Sequence, residues 1–323
     1  MKAHRKRTVR STRPVLSIVV PMFNEATNVF PLLDALRPVL NALDDPYEIL
    51  LMDDGSKDGT WPMIQKAAGE DPRVKGLSLS RNFGHQNALF AGLHFAAGDA
   101  VITMDGDLQH PPQKIPELVA CWRKGFKIVD TKRRQSADTT LLKRLTSRWF
   151  YRLFSLLSGM PMEEGKSDFR LVDRQVVGVM KDMRDADLFL RGIAHWVGYP
   201  RITVEYQAAE RFTGKTKFNL WRMLRFAVSS LFAFSLVPLR LGIWVGLATS
   251  AIAFLELVYI MIAYFRGESV AGWASTLTVM SFMFGVLFIL LGLIGAYLGS
   301  IFETLKNRPR FLVNESTGVF EAR

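Results

Sequence analysis

AVITMDGDLQHPP, residues 100–112, joins a short apolar run to two aspartates that stand two residues apart. The run Ala100–Thr103 is apolar or β-branched and predicts a buried strand. Asp105 and Asp107 follow at its exit, and side chains two apart on an extended chain point the same way. The pair therefore suits one hard divalent cation, Mg²⁺ or Mn²⁺, that holds a diphosphate. Taken alone, the same D-G-D is also typical of a polar turn.

Three further strand-and-helix units precede this stretch and share its organisation. The runs LSIVV, YEILLM and VKGLSLS each lead through polar residues into a helical pattern. Strands that alternate with helices predict an α/β fold with a mostly parallel sheet and right-handed crossovers. Ligands of such sheets bind beyond the carboxyl ends of the strands. Six polar side chains fall at that edge: Asn24, Glu25, Asp53, Asp54, Asp105 and Asp107.

Two segments are predicted to lie in a membrane interface. In LLKRLTSRWFYRLFSLL, about residues 141–157, apolar residues recur at helical spacing and every charged residue is basic. That composition is typical of an interfacial helix, although a core helix with a solvated face has the same periodicity. Residues 217–239 begin amphipathic and become apolar, which predicts a second interfacial helix.

A basic loop, RFTGKTKF, follows a predicted strand that ends at Tyr206. Its cations Arg211, Lys215 and Lys217 flank a glycine, a pattern that suits phosphate binding but also occurs in solvated charge runs. Two other polar groups stand upstream. FKIVDTKRR predicts a strand that ends in basic residues including Arg133, and Asp168 opens a segment that is predicted to be strand or helix.

Two long apolar segments, 241–265 and 274–302, contain one charged residue between them, Glu256. Each exceeds the roughly 20 residues needed to cross a bilayer, and the short connector predicts a transmembrane hairpin. Basic residues flank its outer ends, so the positive-inside rule places both termini in the cytoplasm. The predicted organisation is a basic disordered tail (1–14), a cytoplasmic domain (15–216), the second interfacial helix (217–239), the hairpin (240–303) and a cytoplasmic tail (304–323).

Charge and cysteine content limit the classes of function. The net charge of +11 and pI near 9.8 favour an anionic partner, and the first fourteen residues carry six basic groups. No nucleic-acid recognition module follows them, so we expect no nucleic acid partner but a lipid surface or a phosphorylated substrate. The run VLSIVV is too short for a secretory signal. The single cysteine, Cys121, excludes an intramolecular disulfide and is predicted to pack on a helix.

The motifs in this order resemble the polyprenyl-phosphate glycosyltransferases of family 2. They are PMFNE, the strand ending in DDGS, SRNFGHQNALFAGL, DGDLQHPP, and RFTGKTKF ahead of a two-helix hairpin. That family includes dolichol-phosphate mannose synthase and the bacterial enzymes that put glucose or modified arabinose onto undecaprenyl phosphate. The likeness extends from about Leu16 to Phe311. One departure is Gly106, where D-A-D is commoner; because glycine is also small, we expect an undisturbed metal site.

The resemblance implies a nucleotide-sugar-binding domain of the glycosyltransferase A (GT-A) type and a role for each matching residue. Asp168 would face the sugar, and Gln109 would lie close to the cation. The nucleotide pocket would be lined by Pro21, Asn24, Glu25, Asp53 and Asp54. Mg²⁺ or Mn²⁺ would be held by Asp105 and Asp107 against the diphosphate. The acceptor phosphate would be bound by Arg133, Arg211, Lys215 and Lys217.

The chemistry implied is inverting displacement at the anomeric carbon, on the cytoplasmic face of a bacterial inner membrane. The phosphate of a polyprenyl acceptor, such as undecaprenyl phosphate, is already ionised near neutral pH. We therefore expect Asp168 to position the sugar rather than to act as a base. UDP-glucose is the first choice of donor, ahead of UDP-linked GlcNAc or aminoarabinose and of GDP-mannose. A homo-oligomer is compatible with the sequence.

Three other classes of protein share part of this pattern. A processive polysaccharide synthase should carry Q-x-x-R-W and more membrane helices, neither of which the sequence contains. A dehydrogenase should carry G-x-G-x-x-G after its first strand, which is also absent from the sequence. A non-catalytic, membrane-anchored subunit that binds nucleotide sugars remains a third class, and a metal-dependent transfer assay would distinguish it from an enzyme.

Overall fold

The structure is a computed structural model that describes residues 14–134, 166–183, 192, 196–207, 237–267, 272–306, 308–318 and 320. The predicted interfacial helix at 141–157, residues 217–236 of the second one, and the basic loop with Arg211, Lys215 and Lys217 lie outside the described residues.

One eight-stranded sheet in the order β7-β5-β6-β4-β1-β2-β3-β8 forms the centre of the α/β domain. Most strands run in one direction, as predicted, whereas β6 is antiparallel to β4 and β5, and β8 is antiparallel to β3. The strands are β1 Leu16–Met22, β2 Tyr47–Asp53, β3 Val74–Leu79, β4 Ala100–Thr103, β5 Ile128–Arg133, β6 Lys166–Asp173, β7 Arg201–Tyr206 and β8 Val313–Thr317.

In the described part of the domain, five α-helices cover the two faces of this sheet: α1 Val29–Ala42, α2 Thr60–Glu70, α3 His85–Phe95, α4 Ile115–Arg123 and α5 Arg174–Asp182. Every residue of β1 and β2 is buried, which explains why these strands read as continuous apolar runs. Successive side chains alternate between faces: Ile18 packs in the core with α1, α2 and α4, and Val19 packs in the core with α3 and α5. Cys121 packs against the first of these cores, as predicted.

Helix α3 packs directly against β1 at Gly92, where the absence of a side chain leaves room for Val19. A Cβ atom at Gly92 would come within 2.1 Å of Val19 Cγ1, so only glycine allows this approach. The helix ends at Phe95 because Ala96 turns to φ −58° and ψ 128°. This close packing fixes the first turn of α3 relative to the carboxyl ends of β1 and β4.

Two apolar helices, Val237–Phe265 and Trp273–Leu305, follow the domain. Within them, 239–265 and 279–305 are long and apolar enough to cross a membrane. Their large side chains are exposed, for example Trp244 at 70%, so they do not form the core of a soluble protein. The helices contact each other where Gly242 faces Leu290. The prediction of a hairpin of membrane-spanning length agrees with these helices, which extend a few residues beyond the predicted ends.

The chain after the second apolar helix returns to the α/β domain as β8, an element that sequence analysis did not predict. Strand β8 pairs with the edge strand β3, and Trp61 Nε1 donates to Glu315 Oε2 at 2.7 Å. Phe311 packs edge-on against Phe90 and Phe95 of α3. The segment predicted only as a tail, 304–323, therefore ties the apolar helices to the domain.

Candidate active site

The carboxyl end of β4 and the start of β6 bring Asp105 and Asp168 together around the first turn of α3. His85 Nε2 lies 3.3 Å from Asp105 Oδ1 and 3.6 Å from Asp168 Oδ2. Gln86 Nε2 donates to Asp168 Oδ2 at 3.2 Å. Because the N-terminus of a helix favours negative charge, α3 suits a site for anions. Sequence analysis assigned no role to His85 or Gln86, although both lie within SRNFGHQ, one of the motifs that carry the resemblance.

Asp107 is oriented by Gln109, as the two residues share a tight turn. Gln109 donates to both oxygens of the Asp107 carboxylate, from its backbone nitrogen at 3.1 Å and from Nε2 at 2.7 Å. Leu108 between them has φ 62°, a left-handed conformation that a leucine rarely adopts. The loop closes where the Asp105 N–H donates to His110 Nδ1 at 2.9 Å. Asp105 and Asp107 thus leave the strand in a constrained loop.

Burial and neighbouring negative charges disfavour the ionised form of two carboxyl groups around this loop. Burial raises the pKa of Asp105; neighbouring His110 and His85 oppose that shift, while Asp168 and Asp107 add to it. Burial also raises the pKa of Glu25, to which the charge of Asp107 contributes. Like charges that are held together in this way disfavour ionisation of one another. A bound divalent cation would offset both the repulsion and the burial.

The residues present fit a cation that is shared with the substrate. Asp105 Oδ1 is buried and has no hydrogen-bond partner in the described part of the chain, so it offers a lone pair to a ligand. Within those same residues, no group of three or more His, Cys, Asp or Glu side chains could hold a metal by itself. Mg²⁺ is commonly bound by one or two carboxylates together with substrate phosphates. Asp105 and Asp107 suit that arrangement.

Two buried aspartates at the end of β2 build the wall beside this loop. Asp53 accepts from Ser56 N at 3.1 Å and from Ser78 Oγ at 3.0 Å. Both oxygens of Asp54 accept backbone N–H groups, from Phe83 at 2.8 Å and Gly84 at 2.9 Å, just ahead of α3. These carboxylates therefore hold the loops in place, and their predicted contact with the nucleotide stays a prediction.

The loop after β1 is tied to the loop after β2. Asn24, at φ 55°, accepts from Lys57 N at 2.9 Å, and its own N–H donates to Ser56 Oγ at 2.9 Å. Glu25 accepts from the Asn28 side chain, and Pro21 is paired with β2 inside the sheet. Phe23, which sequence analysis did not single out, is 45% exposed beside them. The predicted nucleotide-binding residues thus lie at, or just after, the carboxyl ends of β1 and β2.

Residues 17–177 match the family model for glycosyl transferase family 2. A bactoprenol glucosyl transferase from a prophage of Shigella flexneri is 40% identical over 302 residues, which cover 93% of this chain and 98% of that protein. An uncharacterized glycosyltransferase of Synechocystis sp. is 39% identical over 308 residues, covering 94% and 96%. The chain belongs to glycosyltransferase family 2. Its α/β domain has the GT-A-like fold that the resemblance implied.

This family 2 enzyme also resembles a solved structure, glucosyl-3-phosphoglycerate synthase from Mycobacterium tuberculosis in complex with Mn²⁺ and UDP. The two share 21% identity with a TM-score of 0.43, over 69% of this chain and 80% of that one.

The predicted acceptor residues of the glycosyltransferase are only partly described. Arg133 lies exposed at the end of β5, where its register partner on β7 is Tyr206. The other three cations, Arg211, Lys215 and Lys217, fall after β7 and outside the described residues. Strand β7 itself ends at the edge of the sheet where Asp168 lies. Their grouping around an acceptor phosphate stays a prediction.

Proposed function

We propose that this protein transfers glucose from UDP-glucose to a polyprenyl phosphate at the cytoplasmic face of a membrane. The observation that carries the proposal is the 40% identity to a bactoprenol glucosyl transferase over 93% of the chain. That match includes the apolar helices as well as the α/β domain, so both the donor site and the membrane attachment belong to the likeness.

Asp105 and Asp107 would hold Mg²⁺ or Mn²⁺ against the donor diphosphate. When bound, the cation supplies charge neutralisation for the departing nucleoside diphosphate. The N-terminal turn of α3 adds its positive end to the same region. Gln109 keeps both Asp107 oxygens in place through its two hydrogen bonds. The aspartates therefore serve the leaving group.

The reaction forms one bond and breaks one at the anomeric carbon. An oxygen of the acceptor phosphate attacks the sugar C1, and the bond from C1 to the diphosphate oxygen breaks with inversion. Because the phosphate is already ionised, no strong base is required. Asp168, which contacts Gln86 and buried Arg170, would orient the sugar. Orientation of this kind can supply several orders of magnitude in rate.

The acceptor phosphate would be bound by Arg133, Arg211, Lys215 and Lys217. Two anionic substrates repel one another, and guanidinium and ammonium groups offset that repulsion with charge-assisted hydrogen bonds. The polyprenyl tail would stay in the bilayer beside the apolar helices. Basic residues at the outer ends of the hairpin favour a cytoplasmic position for the α/β domain, and a reporter fused near residue 269 should then appear on the opposite side.

The decisive experiment is a transfer assay on membranes that contain the protein. Undecaprenyl phosphate is supplied with a panel of labelled nucleotide sugars, with and without a chelator. We expect label from UDP-glucose in the lipid fraction, its loss with chelator, and its return when Mg²⁺ or Mn²⁺ is added. If label is transferred only from UDP-GlcNAc, a UDP-linked aminoarabinose or GDP-mannose, that sugar replaces glucose in the proposal. No lipid-linked label from any donor would overturn the proposal.

A further inference from the structure

A series of hydrogen bonds runs from the backbone of Asp105 to the end of β7. The Asp105 N–H donates to His110 Nδ1 at 2.9 Å, and His110 Nε2 lies 2.8 Å from Ser167 Oγ. Ser167 is in turn hydrogen-bonded to the side chain of Tyr206. His110 is 5% and Tyr206 is 3% exposed, so bulk water does not compete for these groups. The series links three elements that are far apart in sequence.

Each donor and acceptor in this series can be assigned from its partners. Because Nδ1 of His110 accepts from a backbone N–H, its ring proton is on Nε2 and is donated to Ser167 Oγ. Ser167 Oγ also accepts the Phe169 N–H at 3.0 Å. A hydroxyl with two accepted hydrogen bonds has one proton to donate, and it goes to the oxygen of Tyr206. All the donors therefore point the same way, from the loop toward β7.

The imidazole in the middle is also held by packing. Its ring stacks on Phe169 with centroids 5.2 Å apart and planes 17° apart, and Tyr206 meets it edge-on at 5.9 Å. The loop that it closes contains Leu108 in a left-handed conformation, which disfavours this loop shape in the free chain. Contacts with other elements must therefore maintain the shape of the loop. His110 makes these contacts through Ser167, Phe169 and Tyr206, and it also accepts the hydrogen bond from the Asp105 N–H.

We propose that His110, Ser167 and Tyr206 are positioning residues that hold the Asp105–Asp107 loop in the shape that binds the cation. The inference rests on the proposed function in one respect, the presence of a divalent cation at Asp105 and Asp107. None of the three residues is assigned a contact with substrate. Outer residues that orient metal ligands typically contribute 10- to 100-fold to metal affinity.

The test is Mn²⁺ binding to the full-length, detergent-solubilised protein in the presence of UDP, measured by calorimetry. His110→Ala should weaken Mn²⁺ binding by roughly 10- to 100-fold. Excess Mn²⁺ should restore kcat, and the KM for polyprenyl phosphate should stay unchanged. His110→Asn keeps an acceptor near the position of Nδ1 and should recover most of the affinity. His94→Ala, a histidine on the far end of α3, is the matched control and should bind Mn²⁺ like the parent protein.

Ser167→Ala and Tyr206→Phe test the other hydrogen bonds of this series while the ring of His110 stays stacked on Phe169. Each should weaken Mn²⁺ binding less than His110→Ala does. If His110→Ala does not fold, Ser167→Ala decides the question in its place. The inference would be overturned if folded His110→Ala bound Mn²⁺ within about twofold of the parent protein. The same outcome for Ser167→Ala would overturn it where His110→Ala does not fold. It would also be overturned if the parent protein bound no Mn²⁺ in the presence of UDP. Because the measurement uses neither sugar nor lipid, an error in the proposed sugar or acceptor leaves its outcome intact.

Discussion

The carboxylates of Glu48 at the amino edge of the sheet and Asp105 at its carboxyl edge receive hydrogen bonds very differently. At the amino edge, Glu48 accepts from Ser17 Oγ at 2.5 Å, from Lys75 Nζ at 2.8 Å and from Ala97 N at 2.7 Å. At the carboxyl edge, Asp105 Oδ1 is buried without a hydrogen bond from the described residues. A satisfied carboxylate stabilises the fold, whereas one that lacks donors is available to a ligand.

The pKa values follow the same division. Burial alone would raise the pKa of Asp173 at the amino edge, but hydrogen bonds from Trp122, the Gln175 N–H and Lys127 lower it overall. Burial raises the pKa of Asp105, and the two histidines beside it do not compensate. Substitution of the acid by its amide should therefore cost activity at Asp105 and stability at Glu48 and Asp173.

The largest effect is expected for Asp105→Asn. Loss of a cation ligand removes several kcal/mol of transition-state stabilisation, which corresponds to a loss of roughly 1,000-fold or more in transfer rate. Because the pKa of Asp105 is raised, removal of its charge should leave the melting temperature equal or higher. Transfer to undecaprenyl phosphate and thermal unfolding in detergent measure the two quantities. Exposed Asp34→Asn is the control, and a variant at position 105 that keeps a tenth of the activity would contradict the assignment.

Glu48→Gln should reverse that pattern. The amide leaves the ammonium of Lys75, whose side chain is only 14% exposed, without its counter-charge. Breaking a buried pair in this way costs about 3 kcal/mol, or roughly 6–12 °C in melting temperature for a domain of this size. Glucose transfer by the folded variant should stay within about twofold of the parent rate. An unchanged melting temperature would show that the amino edge does not depend on this charge.

Asp173→Asn should have a smaller, pH-dependent effect. Asp173 caps α5 by accepting the Gln175 N–H at 2.9 Å and also binds Trp122 Nε1 at 2.7 Å. Loss of the charged acceptor should cost about 2 kcal/mol at neutral pH. Since the pKa of Asp173 is lower in the folded state, its contribution is present above the ordinary aspartate pKa and lost as pH falls through the folded value. The parent and variant melting curves should therefore converge below about pH 4; a constant gap would argue against ionisation as the cause.

Local patterns in the sequence were sufficient for much of this architecture. The strand-and-helix alternation predicted the parallel part of the sheet, and with it the edge where Asp53 and Asp105 meet, because those elements are defined by periodicity and turns. Strand β8 gave no such signal. Four of its five residues are exposed, and its pairing with β3 depends on contacts more than 200 residues apart in sequence. The antiparallel direction of β6 likewise depends on tertiary placement and not on its own sequence.

The site residues likewise include some that local sequence patterns predict and others that depend on tertiary contacts. Asp105 and Asp107 were predictable because two acids in one short motif can be recognised without a structure. His110 lies in that same motif, but its role depends on a left-handed turn at Leu108 that brings its ring back to the Asp105 N–H. Ser167 reaches His110 only after β6 has joined the sheet. The roles of residues that act through the backbone of another residue are thus difficult to predict from the sequence.

Gly106→Ala should have the smallest effect, and it tests how closely the carboxyl edge is fitted. The sequence predicts that glycine between the aspartates is equivalent to the alanine of the commoner D-A-D motif. In the structure, however, a Cβ atom at Gly106 would lie 2.4 Å from Sδ of Met22, which is 1% exposed.

Because the Met22 sulfur is near the flexible end of its side chain, a shift of Met22 should limit the loss of stability to about 1 kcal/mol, or roughly 2–4 °C in melting temperature. The double variant with Met22→Ala should relieve the clash and bring Mn²⁺ affinity closer to the parent value than Gly106→Ala alone. If Gly106→Ala has the melting temperature and the Mn²⁺ affinity of the parent protein, the loop accommodates a methyl group without cost. The packing around Asp105 would then be less restrictive than the hydrogen bonding around Glu48.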